Sequence, residues 1–367
     1  MTDAMKITFI LPGRGRSGGV RVTAEMGNCL LKRGHDVRII YYRPALYTPS
    51  GLKRQVSHVY RQNRFDNADW VDSFEGVAIP FKKLEDVSYS KGEIVISVGV
   101  YFVPYLLGLN EDVYKVQYCH GLPGDERHPM RAFLDLSIPT ISVSDALVET
   151  LEKHNGQKVL GVVPNGIDGE NYYTDGRLAR DGIGTIYDTA YEKAPEDTIE
   201  LLGQIRKRWP SMPRYVFGKV KRPKGIDSGS YFRYPSIARG RELYNRSKIW
   251  LVTSRREGFG LPVLEAMACG ALVISTKHDN AYSLIKHGEN GFLVDVGDHE
   301  GFMRYIEFVL NNDDVRQRIT RQAYKTVKNY TWDRAASKMV RCLKSVVSGD
   351  QPILDTQSRK EAACPSR

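Results

Sequence analysis

Short apolar runs alternate with helix-length amphipathic segments along most of the chain, the pattern of parallel sheets covered by helices. Ile7-Thr-Phe-Ile-Leu11 opens it, and residues 6–11 read as the first strand. Val20, Ala24, Gly27 and Leu31 share one face at helical spacing, and Gly34 stops that helix before a second strand, Val37-Arg-Ile-Ile-Tyr41. Further strands are expected at 94–98, leading into a short helix, and at 114–118, 139–143 and 159–163. Val163-Pro164-Asn165-Gly166 is a strong turn signal and marks a domain boundary. A second alternation follows, with strands expected at 183–187, 214–218, 249–253, 271–275 and 292–295 and closing helices at 299–310, 313–329 and 332–347. The reading is therefore α/β with two doubly wound domains, 1–164 and 165–330, then a helix over 331–348 and a polar tail over 349–367. Ligands of such sheets bind at the carboxyl ends of strands, where two domains would face each other across a cleft.

Composition narrows the class without choosing the chemistry. A chain of 367 residues can bury two cores, and 41% hydrophobic with 26% charged residues indicates neither wholesale disorder nor a membrane bundle. A formal charge of +10 favours anionic partners, for which nucleic acid, acidic membrane surfaces and phosphorylated substrates all qualify. The five cysteines form no C-x-x-C pair and no zinc spacing, which suits a reducing, cytoplasmic setting. The apolar run at the N-terminus is too short for a signal-peptide core. The longest apolar stretch, Ile94 to Leu109, contains Gly99, Pro104 and Gly108 and falls short of the ~20 residues of a spanning helix. Residues 47–72 interleave Lys53, Arg54, His58, Arg61 and Arg64 with Tyr47, Tyr60, Phe65 and Trp70. That segment reads either as a contact for lipid headgroups or a charged acceptor, or as a solvated loop.

The segment Glu257-Gly-Phe-Gly-Leu-Pro-Val-Leu-Glu265 carries the most chemistry. Two carboxylates bracket a Gly-rich turn, Pro262 suits the first turn of a helix, and Gly270 suits its stop. Glu265 is expected in the first helical turn, and the backbone of Gly258, Phe259, Gly260 and Leu261 can approach an anion. After the first strand, Gly13-Arg-Gly15-Arg-Ser-Gly18-Gly19 satisfies G-x-G-x-x-G, which keeps a dinucleotide site open. Such a site wants an acidic residue near the end of the second strand, and this strand runs into Tyr42-Arg43, with Asp36 before it. Arg43 leaves an NADP-dependent oxidoreductase as a third reading, while the absence of Lys-Ser/Thr after the glycines excludes a Walker A loop.

The string EGFGLPVLEAMACG resembles retaining glycosyltransferases of family 4, with the GT-B fold of two Rossmann-like domains. Supporting it are Pro164-Asn165-Gly166-Ile167-Asp168, Val143-Ser144, His287-Gly-Glu-Asn-Gly291 and Tyr330-Thr-Trp332. The resemblance implies two domains facing across a cleft, a terminal helix crossing back to the first, and closure on donor binding. It implies that Glu257 bonds hydroxyls of the transferred sugar, Glu265 the ribose hydroxyls, and Gly18 and Gly19 the donor diphosphate. His120 takes the place of the family's active-site histidine, and Lys193 that of the lysine in its R-x4-K phosphate clamp. The clamp arginine's position is held by Asp188, so Arg222 or Lys224 is expected to compensate, unless that run is a plain solvated loop. No Asp-x-Asp occurs, so leaving-group charge is expected to fall to fixed cations and a helix N-terminus, with neither metal nor cofactor. The expected partners are a nucleotide-sugar of the UDP, GDP or dTDP type and a glycan or lipid-linked acceptor. Peripheral contact with an anionic membrane at its inner face is carried along, and nucleic acid is not. The missing arginine keeps a nucleotide-sugar-binding module without turnover as the second reading.

Overall fold

The computed structural model describes residues 4–43, 69–110, 112–122, 129–153 and 159–350. They form two compact units, one ending at Gly166 and resuming at Trp332, the other spanning Ile167–Thr331. The segment 47–72 lies outside the described residues except for Asp69 to Asp72, as does the tail from 351.

The first unit is a seven-stranded parallel sheet built from β1 (Lys6–Leu11), β2 (Asp36–Tyr42), β3 (Val77–Phe81), β4 (Ile94–Val98), β5 (Tyr114–Cys119), β6 (Thr140–Ser142) and β7 (Val159–Val162). Their order is β3-β2-β1-β4-β5-β6-β7, so the direction of winding reverses between β1 and β4. The five residues of β4 are all buried, as a strand covered on both faces requires. Helices α1 (Gly18–Lys32), α2 (Val103–Gly108) and α3 (Asp145–Glu152) belong to this unit. Ser17 caps α1 by accepting from the Val20 amide, and Gly34 ends it at φ +84°. At the opposite end of the sheet, buried Glu93 accepts from Arg38 at 2.8 Å and from the Ser90 amide at 2.9 Å. With the Thr8 hydroxyl, which donates to Glu93 and accepts from Arg38 at 2.6 Å, these contacts tie β1, β2 and the start of β4 together away from their carboxyl ends.

The second unit repeats the plan with six parallel strands, β8 (Gly182–Ile186), β9 (Arg214–Gly218), β10 (Tyr231–Arg233), β11 (Ser247–Val252), β12 (Leu272–Thr276) and β13 (Phe292–Val294). The order β10-β9-β8-β11-β12-β13 puts its reversal between β8 and β11. Its helices are α4 (Pro195–Arg208), α5 (Ile237–Arg246), α6 (Leu261–Ala268), α7 (Ala281–Leu284), α8 (His299–Asn311) and α9 (Asp313–Val327). Alternation along β11 sends Ile249 and Leu251 into a core with Ile183, Leu272, Ile274 and Phe302. Trp250 goes to the other face, where its ring centroid is 4.2 Å from that of Tyr244. Gly184 on the neighbouring strand makes room for it, since a Cβ there would overlap the indole ring and the Ser247 hydroxyl. The last helix, α10 (Trp332–Ser348), returns to the first unit, where it packs on α1 and β7. Arg33, just beyond α1, meets Asp333 at 2.6 Å and the Ser337 hydroxyl at 2.8 Å.

Two strands escape the periodicity, and both are edges. β3 is mostly exposed and carries Pro80, which an edge tolerates, and β10 is three residues long. The exposed or half-exposed residues of β3 and β10 give too little alternation to announce a strand, whereas β13, also a three-residue edge, is buried throughout and was legible.

Candidate active site

At the reversal point of the second unit, the loops after β8 and β11 are zipped together. The backbone amides of Arg255 and Arg256 both donate to the Glu192 carbonyl, at 2.8 and 3.2 Å, and the Thr198 and Thr253 hydroxyls meet at 2.7 Å. Lys193 is aimed by an uncommon backbone: Ala194, fully buried, adopts the left-handed conformation at φ +47° directly before Pro195. A non-glycine residue held there costs about 1–3 kcal/mol, and such strain concentrates where a side chain must be placed. The Lys193 Nζ lies 2.5 Å from Glu257 Oε1, which also accepts from the Ser254 hydroxyl at 2.8 Å. The Glu257 side chain is 10% exposed. Burial pushes its carboxyl up, but the Lys193 charge, the nearby His278 and the two hydrogen bonds outweigh burial and hold it below its ordinary value.

Gly260 caps α6 at φ +97°, a conformation that favours glycine, and Pro262 occupies the first turn. Beneath this turn Asn280 donates to the Phe259 carbonyl at 2.7 Å. His278 is 1% exposed and both its ring nitrogens are enclosed without a hydrogen-bond partner among the described residues, as is Asn280 Oδ1. Burial pushes the imidazole down to about 4, with Glu257 opposing that effect and Lys193 adding to it.

Glu265 differs from expectation in place and in environment. Because α6 starts at Leu261, Glu265 falls just past its first turn; it is 5% exposed, and its Oε2 accepts from the Tyr244 hydroxyl at 2.7 Å. Burial, then the Glu265 charge, pushes that hydroxyl well above the usual tyrosine range, so it stays a donor. A neighbouring aromatic on α5 thus orients the carboxylate, which no spacing rule along one segment could reveal. The surroundings of Asp188 add a contact that the sequence did not suggest. Arg222 donates to the Ile226 carbonyl and Lys224 is exposed, whereas Lys219, just past β9, pairs with Asp188 at 3.0 Å.

In the first unit, the structure brings Gly18, Gly19 and His120 together at the carboxyl ends of β1 and β5. A Cβ on Gly19 would stand 3.9 Å from the His120 ring, while one on Gly18 would meet nothing within 4 Å. The His120 ring packs edge-on against Tyr118 with centroids 4.1 Å apart, and its Nε2 is enclosed without a partner among the described residues. Burial pushes it down to about 3, so the ring is neutral at physiological pH. The loop preceding α1 is anchored by Arg14, which pairs with Asp69 at 3.1 Å and with Asp72. Asp36 begins β2, at the end of the strand away from that loop, so among the described residues no acid stands at the carboxyl end of β2.

Other motif residues make hydrogen bonds within the second unit. His287 accepts from the Leu293 amide at 3.1 Å and meets the Tyr305 hydroxyl at 3.1 Å, and Asn290 donates to the Leu284 carbonyl and the Thr326 hydroxyl. Asp168 caps the turn after Ile167 by accepting from the Glu170 amide at 2.8 Å. His278, Asn280, Ser254, Tyr244 and Lys219 were not singled out by sequence. For the first two, a polar pair directly after the apolar run of β12 was the available signal.

Two doubly wound parallel sheets, the second carrying a carboxylate–lysine pair at its reversal point, define an α/β protein of the GT-B fold class. More narrowly, residues 235–326, within the second unit, match the family described as glycosyl transferases group 1. A probable sucrose-phosphate synthase of Thermosipho melanesiensis is 30% identical over 163 residues, 42% of this chain and 36% of that protein. The capsular polysaccharide biosynthesis glycosyltransferase CapM of Staphylococcus aureus is 26% identical over 52% of this chain and 56% of its own length. These matches therefore span between about a third and somewhat over half of the relatives they meet. Among solved structures, Anabaena HepE in complex with UDP and glucose superposes with a TM-score of 0.69 at 15% identity, covering 93% of this chain and 100% of that one. At that identity the likeness establishes the fold. Among the described residues, no helix is long and apolar enough to cross a membrane.

Proposed function

We propose that this chain is a retaining glycosyltransferase that moves a sugar from a nucleotide-sugar donor to a glycan or lipid-linked acceptor without a metal. The observation that carries the reading is the Lys193–Glu257 pair beside the capped start of α6, at the carboxyl ends of β8 and β11. A diphosphate leaving group needs cations and amides aimed at its oxygens, and this corner supplies an ammonium and a helix N-terminus. The Glu257 carboxylate, ionised at neutral pH, accepts from sugar hydroxyls, and Glu265, oriented by Tyr244, accepts from a ribose diol. In the reaction the bond from the anomeric carbon to the phosphate oxygen breaks. The acceptor oxygen bonds to that carbon on the same face, and its proton passes to the departing phosphate.

The first unit carries a set of residues of its own. His120 is a neutral imidazole able to make one hydrogen bond through Nε2, and Gly18 and Gly19 open a capped helix start that suits an anionic group. The names of the relatives favour a glycan or phosphorylated-sugar acceptor, and the complex of HepE with UDP and glucose favours a uridine donor. A cytoplasmic setting with peripheral contact at the inner face of the membrane remains part of the proposal. Asp188 in place of the clamp arginine, paired with Lys219, is what favours the second reading, nucleotide-sugar binding without turnover.

A thermal-shift screen against UDP, GDP, dTDP and ADP sugars identifies the donor, since a ligand at 100 times its Kd stabilises the native state by about 2.7 kcal/mol. Transfer or donor hydrolysis is then measured for Glu257→Ala, which should lose about a hundredfold or more, and for Glu265→Ala, which should lose mainly nucleotide affinity. Full activity in both variants sinks the site assignment, and tight binding with no turnover by the unaltered chain selects the second reading.

A further inference from the structure

Lys193 has two partners that compete. Its ammonium neutralises Glu257, yet the proposed reaction needs it at the donor's diphosphate. Were it to move, a carboxylate nine-tenths buried would lose its cation, which destabilises the folded protein unless another group replaces it. His278 stands just past the end of β12, the strand beside β11, and its Cε1 is 3.8 Å from where a Cβ on Gly260 would lie. The ring therefore sits under the start of α6, within the field of Glu257. Its two enclosed, unpartnered nitrogens are unfavourable for stability, because an apolar side chain of similar size would fill the space without them.

Building on the glycosyltransferase reading, we infer that His278 is the reserve cation of this site: when Lys193 leaves Glu257 for a nucleoside diphosphate, His278 takes a proton from solvent and becomes the counter-charge of Glu257. It is a positioning residue that acts through Glu257. The charged groups that bear on it are Glu257, from the loop after β11, and Lys193, from the loop after β8. On its own segment, Asp279 faces Arg256 and Lys277 pairs with Asp295 at 2.9 Å. With Lys193 present, burial and that ammonium hold the imidazole neutral; with Lys193 withdrawn, the Glu257 charge favours its protonation.

Donor binding should then consume protons. Nucleotide affinity should fall as pH rises between the titration of the free state and that of the bound state, by up to about tenfold per unit, and level off above the latter. Calorimetry of the full chain with UDP and with GDP, in buffers of different ionisation enthalpy near neutral pH, reads the uptake directly. The expected result is a sizeable fraction of a proton taken up per nucleotide, absent in His278→Gln, which should bind more weakly and independently of pH. Binding without uptake, or uptake that persists in His278→Gln, overturns the inference alone. If neither nucleotide binds, the glycosyltransferase reading and the inference fall together. Should His278→Gln not fold, affinity of the unaltered chain at about pH 6 and about pH 8 decides, and equal values overturn it.

Discussion

Replacing Lys193 by methionine keeps the aliphatic stem and deletes the charge that neutralises Glu257. Removing one partner of a buried pair costs about 3–5 kcal/mol; Lys193 is 34% exposed, so solvent screening lowers the expected loss to about 1–3 kcal/mol. The pH dependence gives the reasoning its sharper edge. Burial raises the Glu257 carboxyl, but Lys193, His278 and the two hydrogen bonds bring it below its ordinary 4.5 in the folded state. A depressed folded value contributes stability that is present above the unfolded value and lost as pH falls through the folded one. Lys193→Met removes the first of the lowering influences, so burial gains weight and that stabilisation is lost mainly at neutral pH. Urea unfolding of the unaltered chain, Lys193→Met, Glu257→Gln and the double variant, from about pH 7 to about pH 3, measures the coupling between the two side chains. The coupling should be about 1–3 kcal/mol at neutral pH and shrink towards acid as Glu257 is protonated. Zero coupling at neutral pH, or a coupling that does not change with acid, would refute the assignment of this pair as the electrostatic centre of the second unit.

Tyr244→Phe should destabilise the second unit by about 1–3 kcal/mol, read by unfolding, because Glu265 Oε2 loses a buried donor. The same variant should weaken nucleotide binding severalfold in calorimetry, and unchanged affinity would separate Glu265 from the ribose role. Gly184→Ala should cost about 1–3 kcal/mol through overlap with Trp250, whereas Gly203→Ala, in open space within α4, should stabilise by about 0.5–1 kcal/mol.

Most strands and the long helices were legible because each is long enough to bury a continuous face, and hydrophobic periodicity reports burial. The Gly-rich turn before α6, its proline and its terminal glycine were legible too, since φ +97° at Gly260 and φ +78° at Gly270 are demands of local backbone that only certain residues meet. The chemistry of Glu257 was visible as a residue type at a strand end. Its neighbours were not. Lys193 comes from 64 residues away, Tyr244 reaches Glu265 from another helix, and Lys219 meets Asp188 from the end of a different strand. The two edge strands were likewise hidden, because half-exposed residues lose the alternation that marks their neighbours.

By itself, then, the sequence determined the α/β class, the two doubly wound units and the turn that presents Glu257, all consequences of local periodicity and backbone preference. Only the tertiary structure decided which cations stand beside which carboxylates, and that His278 is buried with neither ring nitrogen hydrogen-bonded among the described residues. The physical reason is that electrostatics acts through space over a few ångströms and is screened or strengthened by burial, and neither distance nor burial is encoded by spacing along the chain.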